Sequence, residues 1–380
     1  MWQSSHRWIE KNPPCQKSAC ASRTTTRGER RDDGEGYRFD GGYGVDNKMK
    51  SLWLITALLL TLSNCGEKNP AIDSEKTPTL SAPKKVASLD KPARNLDWSP
   101  LGDQFVFDTY TARSVGPFLI KEASNIWSIS ASGEDLIQRT FDASGVGSAH
   151  PEWSPDGTQI VFESDREGGS HIFVMSADGS SVRRITKGES GARFFAPTWS
   201  PDGRRVACLY DPYSRFSNMS YGVVSPDVSG FAFLEGFRAF LPSKPSWASR
   251  KNRIIFHSLR NEESYATNLY MGEVGILGDV PVFENDSVFD FRDALANEGI
   301  GSFDPEWSPD GRWIVFYSNH LIREMRRKFS FDIFVLEVEA PGKLLQITKE
   351  GGLSPTWSPS GDRIAFVRDH ELFVVEMDLP

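Results

Sequence analysis

The chain has 380 residues, 39% hydrophobic and 25% charged, enough apolar material for one large domain or two smaller ones, which excludes a wholly disordered chain. Four cysteines cannot make a disulfide framework, and a net charge of -8 argues against a broad nucleic-acid footprint. No apolar run reaches the roughly 18 residues of a membrane-spanning helix, which excludes a polytopic membrane protein.

Residues 1–48 carry scattered Arg, Gly, Asp and Thr with no helical or strand period. They read as a disordered, non-native extension ahead of a translation start at Met49. Met49-Lys50 then supplies a basic head, Leu52 to Leu62 a short apolar core, and Ser63-Asn64-Cys65 a small polar ending. That is the plan of a secretory signal peptide over residues 49–65; the competing reading is a buried core helix over 52–62. Leu62-Ser63-Asn64-Cys65 resembles a bacterial lipobox, with Asn64 where Gly, Ala or Ser is usual. The resemblance implies a lipid on Cys65. Residues 66–83 are rich in Pro, Ser, Thr and charge and read as a solvated tether. The mature part then holds 33 basic and 44 acidic side chains, a net of -11, and only Cys208 lies inside the fold. With no disulfide available there, packing must hold the domain together.

Residues 84–380 are periodic. Trp98-Ser99-Pro100-Leu101-Gly102 recurs as Trp153-Ser154-Pro155-Asp156-Gly157, Trp199-Ser200-Pro201-Asp202-Gly203, Trp307-Ser308-Pro309-Asp310-Gly311 and Trp357-Ser358-Pro359-Ser360-Gly361. A degraded copy starts at Trp247. A proline stands two positions before the Trp in five copies: Pro151, Pro197, Pro245, Pro305 and Pro355. After each turn comes a short apolar strand, such as Ile160-Val161-Phe162 or Ile314-Val315-Phe316, then a loop and a second strand, such as Ile172-Phe173-Val174-Met175.

The turn chemistry accounts for its residues. Ser bonds forward to the backbone, Pro presets the next φ, Asp suits the third position and Gly accepts the left-handed conformation. Flanking apolar strands make each copy an antiparallel hairpin. Apolar side chains at consecutive positions mean strands covered on both faces. Sheets of about four strands that cover one another describe an all-β, six-bladed β-propeller of four-stranded antiparallel blades. The six tryptophans are expected to fill the wedges between blades. The last repeat stops after three strands, and Val86 to Leu89 is expected to supply its fourth, so that an N-terminal strand closes the last blade and removes an open sheet edge.

The Trp-Ser-Pro-Asp-Gly turns resemble those of the TolB-type six-bladed propeller, over residues 84–380. The resemblance implies a periplasmic or outer-membrane protein that binds an envelope partner. It departs from that family in having a short tether where TolB carries an α/β domain, and in having a lipid-bearing cysteine of its own.

Tight turns occupy one face of such a ring and long connections the other, including 109–124, 215–219, 289–302 and 320–330. Variable loops on a rigid scaffold are the usual binding surface. Arg323, Arg326, Arg327 and Lys328 form a basic island on an acidic protein, a candidate contact for an acidic partner, an anionic lipid or a glycan; a solvated charged loop is the plainer alternative. Arg166, Arg260 and His320 hold matching positions after the second strand of their blades and are candidates for the channel mouth. No nucleophile elbow, no close histidine pair and no phosphate-binding glycine loop is present, so no catalytic residue, metal or cofactor is expected. The expected function is a monomeric, envelope-anchored lipoprotein that binds a protein or a peptidoglycan-associated partner, and no nucleic acid. The alternative is a carbohydrate-active or metal-dependent propeller enzyme, a lyase or hydrolase, with distant histidines converging at the channel.

Overall fold

The computed structural model describes residues 78–379, apart from 116–117, 144, 188–190, 213–218, 229, 234–242, 250–251, 260–266, 278–279, 290–300, 320–330 and 340–343. The signal peptide, Cys65 and most of the expected tether lie outside these residues.

Among the described residues the chain folds into six antiparallel sheets taken in sequence order, spanning 93–138, 148–184, 193–233, 246–289, 302–346 and 353–378. These are the six blades of the expected β-propeller. Consecutive apolar residues pair within each blade, as Ile160↔Met175 and Phe162↔Phe173 do in blade two. Both faces of the middle strands are covered, so Ile160, Val161 and Phe162 are all fully buried.

The turns behave as their residues dictate. In blade two, Ser154 Oγ donates to Asp156 Oδ1 at 2.6 Å and accepts from Gln159 N at 2.9 Å, while Gly157 sits at φ 71°. A side chain at Gly157 would be strained by that φ and would also press on Leu101 and Pro100 of the preceding blade. In the degraded copy, Asn252 takes a left-handed φ of 46° and its Oδ1 accepts from Trp247 Nε1 at 3.0 Å.

Each Trp fills the wedge toward the preceding blade. Trp153 packs with Val106 and Ile126 of blade one, Trp199 with Val161 and Val174 of blade two, and Trp357 with Val315 and Val335 of blade five. Trp98 packs with Ala365, Val367 and Leu372 of blade six, so the ring is closed. In five of the six, all but Trp247, the indole N–H has no hydrogen-bond partner among the described residues. Their role is steric.

The closing strand is present. Lys84–Ser88 pairs antiparallel with Glu371–Asp378, with Lys85↔Phe373 and Ser88↔Glu371 in register and a shift between Lys85 and Ala87. Leu89 N continues the pairing to His370 O at 2.8 Å. The pairing reaches back into the stretch read as tether, because Thr79 and Leu80 pair with Asp378 and Met377. Blade one differs from the loop expected at 109–124. Gln104–Val115 and Phe118–Ser130 form one long hairpin, in register to Val115↔Phe118. The sequence there is rich in residue types that favour strands (Thr, Tyr, Phe, Ile), a preference that the turn signal alone does not reveal.

Replacing Trp307 with Ala removes one wedge and is expected to cost about 3–5 kcal/mol. Urea unfolding at neutral pH measures it, with Leu101→Ser, an exposed turn residue, expected to stay within about 0.5 kcal/mol of wild type.

Candidate functional site: the central channel

The first strand of each blade is the innermost, and its inner edge has no strand beside it. Backbone N–H groups there need other acceptors. The residue before each Trp supplies one. Asp97 Oδ2 accepts Trp153 N at 2.7 Å, Glu152 Oε1 accepts Trp199 N at 2.8 Å, and Ser246 Oγ accepts Trp307 N at 3.2 Å. Glu306 Oε1 accepts Trp357 N at 3.0 Å, and Thr356 Oγ1 accepts Trp98 N at 3.3 Å, which closes the circle. Five junctions thus share one bond, from a side chain of one blade to the backbone of the next.

A bulge aims these side chains. Pairing between first and second strands shifts register between Arg94 and Asp97, Ala149 and Glu152, Phe195 and Thr198, Phe303 and Glu306, and Leu353 and Thr356. The residue three before the Trp takes a left-handed φ in five blades: Asn95, His150, Ala196, Asp304 and Ser354. The proline that follows in four of these sits at the bulge, where its missing N–H costs nothing. The left-handed residues are capped by the adjacent blade as well. Asp108 Oδ1 accepts His150 N at 3.1 Å, Glu163 Oε2 accepts Ala196 N at 2.7 Å, and His257 Nδ1 accepts Asp304 N at 3.1 Å.

Among the described residues, two cavities lie along the channel. The one nearer the tight turns is about 200 Å³ and contains Asp97, Glu152, Glu306 and Lys244. Lys244, from blade four, reaches Glu152 on blade two, with Nζ 2.8 Å from Oε2. Burial pulls its ammonium down, but Glu152, Asp97 and Glu306 outweigh that and leave it raised. Three carboxylates face this one cation. Burial, then the charge of Glu152, raises Asp97 to about 7, against the lowering pull of Lys244. Burial, then Asp97, raises Glu306 to about 8. Near neutral pH Asp97 and Glu306 therefore hold on to protons that ordinary carboxyls would have lost, which limits the negative charge in a confined space.

The second cavity, about 520 Å³, opens on the opposite face. Phe303, Tyr317 and Phe331 of blade five form its aromatic wall, with ring centroids 5.4–5.5 Å apart. Arg94, His150 and Asp304 supply its charge. His150 Nδ1 lies 3.2 Å from Glu163 Oε2. Burial opposes its charge, but Glu163 and Asp108 raise it to about 9, so it is an imidazolium at neutral pH. His257 is the reverse case, with burial lowering it to about 4. Asn95, Asp304 and Ser354 line both cavities.

Arg166 does not line either cavity. Its guanidinium Nη2 donates to Asp142 Oδ1 at 3.2 Å and to Ser148 Oγ at 2.8 Å, and it packs over Phe162 and Phe173. It ties the link between blades one and two to the start of blade two. Arg260, His320, Arg323, Arg326, Arg327 and Lys328 lie outside the described residues, as does Cys65. Sequence reasoning passed over Asp97, Glu152, Glu306 and Lys244. The available signal was the residue before each Trp, which is a side-chain acceptor in all six copies: Asp97, Glu152, Thr198, Ser246, Glu306 and Thr356.

Among the described residues no three His, Cys, Asp or Glu side chains are arranged to hold a metal ion. A family model for the TolB beta propeller domain matches residues 64–272. The chain belongs to that family. No curated protein matches it. Among solved structures, a TolB from Agrobacterium tumefaciens is 17% identical with a TM-score of 0.52, over 76% of this chain and 91% of that one. A gluconolactonase from Xanthomonas campestris is 12% identical with a TM-score of 0.53, over 78% of this chain and 89% of that one. TolB from Acinetobacter baumannii is 16% identical with a TM-score of 0.49, over 72% of this chain and 64% of that one. At these identities the likeness is one of fold, and the fold is shared by a TolB and an enzyme alike.

The channel chemistry sets a pH dependence. Asp97 and Glu306 bind protons more tightly folded than unfolded, so their contribution is full below about pH 4 and is lost as pH rises toward 8. Glu306→Gln keeps an acceptor for Trp357 N and removes the charge. It is expected to match wild type at pH 5 and exceed it by about 1 kcal/mol at pH 8. Lys244→Met strips the cation from the carboxylates and is expected to destabilise by about 3 kcal/mol at pH 8 and by less at pH 5. Denaturant melts of both variants across that range check the two signs.

Proposed function

We propose that the protein is an exported envelope lipoprotein, anchored through lipid on Cys65, whose propeller binds a protein partner or a cell-wall component without catalysis. In this reading residues 49–65 are the signal, the chain up to the first paired residues is a tether, and the propeller occupies the rest. The carrying observation is the state of the titratable groups in the channel. His257 accepts a backbone bond from blade five, His150 is paired with Glu163, and Asp97, Glu152 and Glu306 each accept a Trp N–H. Side chains committed to holding the ring together are poorly placed to exchange protons with a substrate. The wider mouth offers an aromatic wall and Arg94, the pairing of groups that favours recognition. Membership of the TolB beta propeller family supports the same reading.

The basic segment with Arg323, Arg326, Arg327 and Lys328 immediately precedes Phe331, which lines that mouth. Arg260 and His320, which follow the second strands of blades four and five in the sequence, are included in the proposal as further contacts. We assign the partner to this face. One observation favours the enzyme reading: His150 and His257 both feel the charge of Asp304. Calorimetric titration with Mn²⁺ and Ca²⁺ tests it, and the binding reading expects no uptake that Asp304→Asn abolishes.

Pull-down from detergent-solubilised envelopes is expected to recover a partner with wild type. Combined Arg326→Glu and Arg327→Glu, and separately Phe331→Ala, are each expected to cut recovery at least about tenfold, the loss typical of removing one interface anchor. Unchanged recovery with both variants removes this face from the proposal. Mass spectrometry of the native protein is expected to find a lipid-modified N-terminus at Cys65 and no peptide from residues 1–48.

A further inference from the structure

Seven large apolar side chains are exposed among the described residues: Leu80, Leu101, Leu136, Ile137, Phe141, Val182 and Leu353. Five of them share one side of the ring. Leu80 lies on the outer edge of blade six, Leu136 and Ile137 at the outermost strand of blade one, Phe141 in the link to blade two, and Val182 beside the outermost strand of blade two. Phe141 is 81% exposed, the most of any large apolar residue described.

These edges are contiguous. The last turn of blade one presses on blade six, where a Cβ on Gly133 would fall 2.1 Å from Val86 O. Arg139 of blade one donates to Asp178 O in the last turn of blade two at 3.0 Å. The outer strands of blades three and five present Phe231, Leu344 and Leu345 half-buried instead. Among the described residues the exposed apolar side chains gather mostly on this side, and such a cluster marks a contact surface.

The chain itself indicates what covers it. The described residues begin at the same side, where Thr79 and Leu80 pair with blade six. Only residues 66–77 separate them from Cys65. Fully extended at about 3.5 Å per residue, that segment spans at most about 45 Å. A lipid on Cys65 would hold this side, rather than the far one, against the bilayer, at a high effective concentration. The surrounding charge is mixed, with Lys84, Lys91 and Arg183 offset by Glu134, Asp135 and Asp178. Headgroup charge is therefore not the driving term.

We infer that the outer edges of blades six, one and two lie on the lipid surface, with Leu136, Ile137, Phe141 and Val182 inserted between headgroups. The channel axis then runs parallel to the membrane, and both channel mouths open sideways to the aqueous space. This rests on the lipid anchor proposed above.

The test uses the full lipoprotein in vesicles of phosphatidylethanolamine and phosphatidylglycerol. An environment-sensitive fluorophore is placed at Phe141→Cys or Val182→Cys, and in controls at Leu101→Cys or Leu353→Cys. Cys208 is fully buried and does not compete for label. Emission at 141 and 182 is expected to rise about threefold on reconstitution and to be quenched by doxyl-labelled lipid, as for side chains at the headgroup boundary. Positions 101 and 353 are expected not to change, and lowering the phosphatidylglycerol fraction is expected to leave the signals in place. Flotation with the vesicles but aqueous emission at 141 and 182 overturns the docking and leaves the anchor standing. Failure of the wild type to float overturns the anchor, and the docking with it. Protection of 141 and 182 without doxyl quenching assigns this side to protein contact and overturns lipid docking.

Discussion

The structure depends on one bond made at five junctions: a side chain just before the Trp of one blade accepts the backbone N–H of the Trp in the next. An inner edge strand would otherwise expose those N–H groups along a narrow channel. A buried, unpaired backbone donor costs roughly 1–3 kcal/mol. Repetition supplies the acceptor, because each blade carries at the same position what its neighbour lacks. The bulge, the proline and the left-handed residue are the local means of aiming that acceptor. Their strain is held by the ring, since Asn95, His150, Ala196, Asp304 and Ser354 are each also bonded to an adjacent blade.

Using carboxylates as acceptors has an electrostatic consequence. Asp97, Glu152 and Glu306 accept their bonds well, but they converge on a confined space. Threonine and serine take the same position in the other three blades, which limits the charge. Lys244 offsets part of the rest. Blade four, which supplies the lysine, is also the blade with the degraded turn, and there Asn252 replaces the usual turn geometry and holds Trp247. The same blade thus departs from the repeat at both ends of its first strand. Burial first, and then the neighbouring carboxylate, raise Asp97 and Glu306, and the lysine offsets only part of this.

Closure by an N-terminal strand couples architecture to placement. The strand that completes blade six is the strand through which the chain leaves toward Cys65. The outer edge it occupies is continuous with the apolar edges of blades one and two. The element that shuts the ring therefore also decides which side of it stays nearest to any anchor upstream. The two channel faces stay clear of that side.

The sequence by itself determined the repeat, and through it the blade count, the hairpin turns, the wedging tryptophans and the closing strand. Those are local or periodic features, set by Ser, Pro and Gly at fixed offsets and by apolar runs at Ile160 to Phe162 and their counterparts. What only the tertiary structure decided was which polar residues meet. Arg166 reads in sequence as a member of a ring at the mouth, yet it bonds to Asp142 in the link from blade one and to Ser148 at the start of its own blade. Lys244 stands one residue before Pro245 and looks like any solvated lysine, yet it crosses the channel to Glu152. The hairpin at 109–124 likewise looks like a loop until its strands pair. The reason is physical: a turn is written in neighbouring residues, whereas a contact between blades about fifty or ninety residues apart arises only when the ring closes.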